Sequence, residues 1–192
     1  LSQYQDRLLR LIEHDNNTFV QPDARKNEVL ARVREGLNDV PISRTGTGGW
    51  GIPLPNDDEQ TIYVWIDALF NYLTTIDTDD RIQYWPADVH FIAKDILWFH
   101  AVIWPAMLMA LNRPLPRQVY VHAYWISEGQ KMSKSLGNFI DLEKIDQYVS
   151  DFSLDAMRYY LATQGPLGAT DADFAHTKFV EVYNSDLANT LG

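Results

Sequence analysis

Residues 128–138 hold Lys131, Lys134, Ser133, Ser135, Gly129 and Gly137 in one short string. Ammonium groups offset negative charge, hydroxyls donate to phosphate oxygens, and glycines let the backbone bend close to a ligand. A flexible, cationic, hydroxyl-rich loop placed directly after an apolar segment suits a transferring triphosphate. Small polar and basic residues also compose ordinary solvated surface loops. The string therefore takes its meaning from what surrounds it.

Two further groups carry candidate chemistry. Lys94 and Asp95 close the apolar run 89–93. Ligands of open α/β sheets sit beyond the carboxyl ends of the strands, where Asp95 either accepts from ribose hydroxyls or caps the next helix. His100 follows among aromatics, by default as a core histidine. In the segment 63–72, Trp65, Ala68, Leu69 and Tyr72 bracket a strand end and a helical turn, with Ala68 and Tyr72 sharing a face at i, i+4. An aromatic slot there suits an unbranched apolar ligand, because thioether sulfur contacts rings favourably; plain core packing uses the same residues.

The elements that must position these groups follow from periodicity. Residues 61–66 are β-branched and aromatic and read as a strand buried on both faces. Residues 89–93 and 118–125 read as two more strands. Helical patterns cover 4–14, 23–35 with Gly36 as a C-cap, 67–76, and 95–111 with an interruption at Pro105. Alternation of strand and helix at this spacing predicts a parallel sheet with right-handed crossovers, an α/β fold equal to half of a doubly wound nucleotide-binding domain. A loop rich in Gly, Thr and Pro spans 42–55, around Arg44 and Trp50. Beyond the lysine-bearing loop the pattern turns helical at 141–149 and 153–163, the second capped by Ser153. Asp173 is expected to cap a last helix running to Leu191. The expected organisation is helical over 1–40, sheet domain with the cationic loop over 41–140, and helical again over 141–192.

The chain has 192 residues, a net charge of −10 and no cysteine. The acidic balance argues against a generic nucleic-acid binder without excluding a local basic patch; Arg7, Arg10, Arg25, Lys26, Arg32 and Arg34 make the first third the most basic. Disulfides and cysteine-based zinc sites are excluded, and nothing points to secretion. The expected location is the cytoplasm, with an organelle as the alternative. No apolar run reaches membrane-spanning length. The histidines lack metal-ligand spacing, and no G-x-G-x-x-G, Walker A, H-E-x-x-H or G-x-S-x-G string occurs.

Taken together the segments resemble the methionyl-tRNA synthetase family of class I aminoacyl-tRNA synthetases. The likeness rests on KMSKS at 131–135 followed by LGN, on YVWIDALFNY at 63–72, on KDILWFHAVIWPAML at 94–108 and on NSDLAN at 184–189. KMSKS alone indicates class I; the other segments favour methionine. The resemblance implies ATP-dependent activation of methionine, with Mg2+ entering alongside the nucleotide, and transfer to tRNA(Met). It implies that Lys131, Ser133 and Lys134 act on the triphosphate. Lys94, Asp95, His122, Trp125, Ile126 and Lys134 are implied ATP contacts. Arg44, Trp65, Ala68, Leu69, Tyr72, Phe99 and His100 are implied methionine contacts. It further implies that the chain is the C-terminal half of a catalytic core, with the HIGH motif and a zinc-bearing insertion upstream and the anticodon-binding helices mostly downstream; no metal is expected on this chain. Ala93 and Ala123 stand where the family usually has glycine, each adding a methyl where backbone approaches the nucleotide. A non-catalytic tRNA- or nucleotide-binding module and a synthetase for another apolar amino acid are the competing readings.

Overall fold

A computed structural model describes residues 1–46, 48 and 50–191, the last by its backbone alone. Thr47 and Gly49, both in the expected 42–55 loop, lie outside the described residues, as does Gly192. The chain divides into two compact units, Leu1–Val121 and His122–Gly192.

The first unit opens with α1 (Gln5–Arg10), continued by a π-helical turn over Leu11–Asp15. Asn16 then ends the helix. Its side-chain oxygen accepts from the Thr18 backbone and hydroxyl, and its amide nitrogen donates to the Arg117 carbonyl. A two-residue strand, β1 (Val20–Gln21), precedes α2 (Asp23–Arg34), after which Gly36 takes φ +108° and turns the chain. A small antiparallel sheet follows, with β4 (Asp57–Ile62) central between β2 (Ser43–Thr45) and β3 (Pro53–Leu54). Next come α3 (Val64–Ile76), β5 (Val89–Ala93), α4 (Trp104–Ala110) and β6 (Gln118–His122). The strands β1, β6 and β5 form one sheet in that order, β1 pairing parallel to β6 with Val20 opposite Val119.

The mixed α/β class with a parallel pairing agrees with expectation, but the strand list is corrected at three places. Residues 61–66 are not one strand. The strand stops at Ile62, and Val64, Trp65 and Ile66 begin α3. Trp65, Leu69, Tyr72 and Ile76 recur at i, i+4, i+7 and i+11, a helical face that outweighs the strand preference of the β-branched residues. The place given to that strand is taken by β1, too short for periodicity to reveal, whose Val20 is fully buried. β5, the expected strand over 89–93, buries one face only: Val89 and Phe91 are 46% and 59% exposed, while His90 and Ile92 are at 6% and 5%. That period-2 alternation aims His90 into the protein.

At Pro105 the helical run changes form. A π-helical turn over Phe99–Ile103 gives way to α4, in whose first turn the proline sits. Its missing N–H falls at the junction of the two helical forms. The core of this unit packs Leu8 and Ile12 of the first helix and Val29, Leu30 and Val33 of α2 with Val20, Ile92, Val119 and Val121.

The second unit contains β7 (Trp125–Ser127), β8 (Gln130–Lys131), α5 (Leu142–Phe152), α6 (Leu154–Gln164), β9 (Ala172–Phe174) and α7 (His176–Val182), then a π-helical stretch over Tyr183–Leu191. Its sheet has the order β8-β7-β9, antiparallel then parallel. The apolar run 118–125 is thus split: β6 ends at His122 and β7 starts at Trp125. Asp141 caps α5 by accepting from the Lys144 N–H at 2.9 Å, and Ser153 caps α6 by accepting from Ala156 at 3.2 Å. Asp173 is not a helix cap. It lies in β9, and α7 begins after Ala175. Tyr148, Met157, Tyr160, Phe174 and Phe179 form an aromatic-rich core, with Trp125 and Met132 packed against it.

Gly165 ends α6 under a tight constraint. A Cβ there would lie 2.2 Å from the Leu161 carbonyl oxygen, a backbone atom that cannot swing aside. Gly165→Ala is expected to cost about 1–3 kcal/mol, as overpacking does, read as a lowered thermal midpoint. Gly168→Ala, with nothing within 4 Å of the added carbon, is the control and should leave it in place.

Candidate functional site

In the first unit the structure gathers Trp65, Tyr72, Phe99 and His100. Trp65 lies flat on Phe99, centroids 3.9 Å apart at 12°, and edge-on to His100 at 6.4 Å. The Tyr72 hydroxyl is 2.8 Å from His100 Nε2, and His100 Nδ1 is 3.1 Å from the Ile96 carbonyl oxygen. A carbonyl only accepts, so Nδ1 carries the proton. Nε2 is then the acceptor and the Tyr72 hydroxyl the donor. His100 is buried, which lowers its pKa, partly offset by the bond to Ile96. Burial raises that of Tyr72. The cluster is therefore uncharged at neutral pH, with each polar atom of the tyrosine–histidine pair satisfied.

Behind it stands a second layer that periodicity alone did not single out. The Tyr72 ring packs on His90 at 4.3 Å and on Trp104 at 5.9 Å. Trp104 Nε1–H donates to His90 Nε2 at 3.3 Å, so His90 is neutral with its proton on Nδ1. Its pKa is pushed down to about 4, first by burial and then by neighbouring His100. The alternation along β5 was the signal that could have placed it.

A pH dependence follows. Between pH 6.5 and about 4 an unfolded His90 is protonated while the folded one is not. The unfolded chain binds more protons there, so stability is full above pH 6.5 and falls as pH drops through this window. The expected loss is about 3 kcal/mol by pH 4. Chemical denaturation at a series of pH values reads it, and His90→Gln should flatten that part of the profile.

The remaining candidates of this unit supply no ring to the cluster. Leu69 is fully buried with Ile103, Trp104 and Leu108, a core position supporting the helix that carries Tyr72. Ala68 is exposed one turn before Tyr72. Arg44, in β2, stacks its guanidinium 3.9 Å over the Tyr63 ring and lines a separate cavity of about 350 Å³ with Trp50, Thr61 and Asp67. Lys94 and Asp95 open a 3-10 turn and line a smaller cavity of about 140 Å³ with Glu28, Arg32 and Trp98. Asp95 is not a helix cap: Ala93 occupies that position and the turn has no side-chain cap bond.

In the second unit the KMSKS string is more structured than a loop. Lys131 belongs to β8, facing Ile126 across the hairpin. Lys134 opens a 3-10 turn that Gly137 ends at φ +68°. Asn138 staples the string: its Oδ1 accepts from the Ser133 N–H at 2.8 Å, and its Nδ2 donates to the Lys131 carbonyl at 3.1 Å. The Ser133 and Ser135 hydroxyls are 2.8 Å apart. Both lysines are exposed, Lys134 Nζ lying 5.9 Å from the Phe139 ring centroid. Two exposed ammonium groups on a stapled backbone can neutralise a polyanion, and the paired hydroxyls can donate to it.

His122 donates through Nδ1–H to the Ala123 carbonyl at 2.7 Å. Trp125 and Ile126 are fixed by strand pairing to Ala172 and Asp173, and the Trp125 indole stacks on Tyr160 at 6.1 Å. Trp125 is therefore committed to the core of its unit. Ala123 is fully buried, its N–H bonded to the Pro166 carbonyl. Among the described residues no group of three or more His, Asp or Glu is arranged to hold a metal ion.

Comparison with known proteins identifies the family. The family model for "tRNA synthetases class I (M)" matches residues 1–192. The chain is 48% identical to a methionine–tRNA ligase of Brucella suis and 46% identical to one of Bacillus subtilis, covered whole in each case. It spans 37% and 29% of those relatives. Among solved structures, Mycobacterium tuberculosis methionyl-tRNA synthetase in complex with methionyl-adenylate superposes with a TM-score of 0.85 at 42% identity, covering all of this chain and 37% of the other. These matches carry the family and the α/β class. They do not carry the expectation that the chain is the C-terminal half of a catalytic core, which is not retained. The chain belongs to the methionyl branch of the class I tRNA synthetases.

Proposed function

We propose that the chain is part of the ATP-dependent catalytic region of a methionine–tRNA ligase, which activates methionine to methionyl-adenylate and transfers it to tRNA(Met). The observation that carries this reading is the uncharged cluster of Trp65, Phe99, His100 and Tyr72. A methionine side chain is neutral and unbranched, with a polarisable sulfur that aromatic edges attract. Trp65 and Phe99 are already in van der Waals contact, so the thioether enters beside this stack or by parting it. His100 holds the Tyr72 hydroxyl, which leaves the tyrosine ring as a fixed wall. Leu69 supports that wall from the core, and Ala68 leaves space in front of it.

In the first step a methionine carboxylate oxygen bonds to the α-phosphorus of ATP as the bond to pyrophosphate breaks. In the second, a ribose hydroxyl of the tRNA attacks the methionyl carbonyl and AMP departs. Neither step demands a strong protein base; positioning and charge neutralisation do most of the work. Lys131 and Lys134, with Ser133, are assigned to the β,γ-phosphates. Lys94, Asp95, His122, Trp125 and Ile126 are assigned to the nucleotide, the last two through backbone rather than side chain. Arg44 is assigned to the reacting carboxylate and phosphate. Mg2+ would arrive with ATP.

Pyrophosphate exchange by the full-length enzyme, run with a panel of amino acids, tests the reading. Methionine should support exchange, with leucine, isoleucine and valine far behind. Equal exchange with one of those would favour a different class I synthetase. Absence of exchange with any amino acid would favour a binding module.

A further inference from the structure

We propose that Asp173 and Asn138 are positioning residues that hold the two lysines of the β7–β8 region in register, an inference that rests on the role assigned above to Lys131 and Lys134. The hairpin tip consists of Glu128 at φ +50° and Gly129 at φ +73°, two consecutive left-handed residues. That is the turn type that matches strand twist, with Ser127 paired to Gln130 on either side. In such a turn the N–H of the second tip residue has no partner in the ladder. Asp173 supplies one: both carboxylate oxygens approach the Gly129 nitrogen, at 3.1 and 3.0 Å. Asp173 stands in β9, in register with Ile126. It thereby ties the far end of the hairpin to a strand that is itself packed through Phe174 into the aromatic core. A second tie joins Glu128 to the first residue of α7, whose N–H, that of His176, lies 3.4 Å from the Glu128 carboxylate.

Asn138 works from the other side. It takes the Ser133 N–H with its oxygen and gives its amide hydrogens to the Lys131 carbonyl at 3.1 Å and, more distantly, the Ser127 carbonyl at 3.4 Å. One side chain thus bonds backbone atoms before and after Met132, between the two lysines. The anchored tip sets where β8 runs, and Asn138 sets how the chain leaves it. Lys131 lies between the two anchors, and Lys134 follows directly on the second.

Neither residue has to touch substrate. Asp173 and Gly129 are both exposed, so their bond adds little to folding stability in competition with water. Its worth lies in geometry. Displacement of a catalytic group by about 1 Å costs on the order of 10²-fold in rate. This separates positioning from plain structural support, which would register in stability and leave the rate per folded molecule unchanged.

The test uses the full-length enzyme and methionine-dependent pyrophosphate exchange, normalised to active sites and run beside thermal denaturation. Asp173→Ala should lower kcat about 10- to 100-fold, raise the KM for ATP, and leave the KM for methionine and the thermal midpoint nearly unchanged. Asp173→Asn should recover most of the rate, because an amide oxygen still accepts from Gly129. Asn138→Asp should not recover what Asn138→Ala loses, because a carboxylate has no hydrogen for the Lys131 carbonyl. If Asp173→Ala does not fold, the Asn138 pair is read in its place. A kcat for Asp173→Ala close to wild type, or an Asp173→Asn enzyme as slow as Asp173→Ala, overturns the inference. Lys134→Ala is measured in parallel. If it too is fully active, the pyrophosphate role of the lysines fails, and the inference with it; if it is slow while Asp173→Ala is not, only the positioning claim falls.

Discussion

Lys134→Ala in the full-length enzyme is expected to slow methionine-dependent ATP–pyrophosphate exchange about 10²- to 10³-fold while leaving the methionine KM nearly unchanged. The magnitude is that of removing one preorganised electrostatic donor from a transition state, about 2.7–4 kcal/mol. The ammonium group is exposed and, among the described residues, has no hydrogen bond or ion pair, only its approach to the Phe139 ring, so it is available for a phosphate. It sits at the start of a turn whose backbone is stapled by Asn138, so its reach is constrained before any ligand arrives. Methionine recognition is assigned to other side chains, Trp65, Tyr72, Phe99 and His100, which is why the two Michaelis constants should separate. A rise in methionine KM with unchanged kcat would move Lys134 out of the pyrophosphate role.

The second large effect belongs to His100. His100→Ala leaves the Tyr72 hydroxyl without its acceptor and removes the side-chain donor to the Ile96 carbonyl, both in partly buried surroundings. Each unmade buried bond costs about 1–3 kcal/mol. Part of that cost falls on folding and part on the ring geometry that methionine meets. The expected result is a methionine KM raised about 10- to 100-fold, against an ATP KM nearly unchanged. Tyr72→Phe removes only the hydroxyl and keeps the wall, so its effect should be smaller and in the same direction. Equal rises in both constants, or a rise for ATP alone, would return this cluster to ordinary core.

Much of this was legible in the residues. The Ser153 cap was readable because the chemistry is local: its hydroxyl accepts the N–H three residues on, as its type predicts, and Asp141, read only as a helix start, caps α5 in the same way. Helical stripes over α2 and α6 were readable because one face of each buries. The misreadings share a cause in tertiary override of local preference. Thr61-Ile62-Tyr63-Val64-Trp65-Ile66 has strand propensity throughout, yet Trp65, Leu69 and Tyr72 gain more from one helical face against His100 and Trp104. Asp173 has the type of a helix cap, but the unpaired Gly129 N–H at the hairpin tip claims its carboxylate. That pairing spans 44 residues, beyond what spacing in the chain reveals. β1 has two residues, below the length at which alternation carries information. At the site, the rings could be named in advance. Their protonation and the second layer of His90 and Trp104 could not, since they depend on which carbonyls and indoles end up adjacent.

The most direct test of the central claim is a single-turnover measurement on the full-length enzyme. Enzyme with ATP and Mg2+ is mixed rapidly with methionine, and pyrophosphate release is followed against active-site concentration. The account predicts a methionine-dependent burst of one equivalent, strongly slowed in Lys134→Ala and shifted to higher methionine concentration in His100→Ala. A burst that leucine supports as well as methionine does, or one that neither substitution alters, would contradict it.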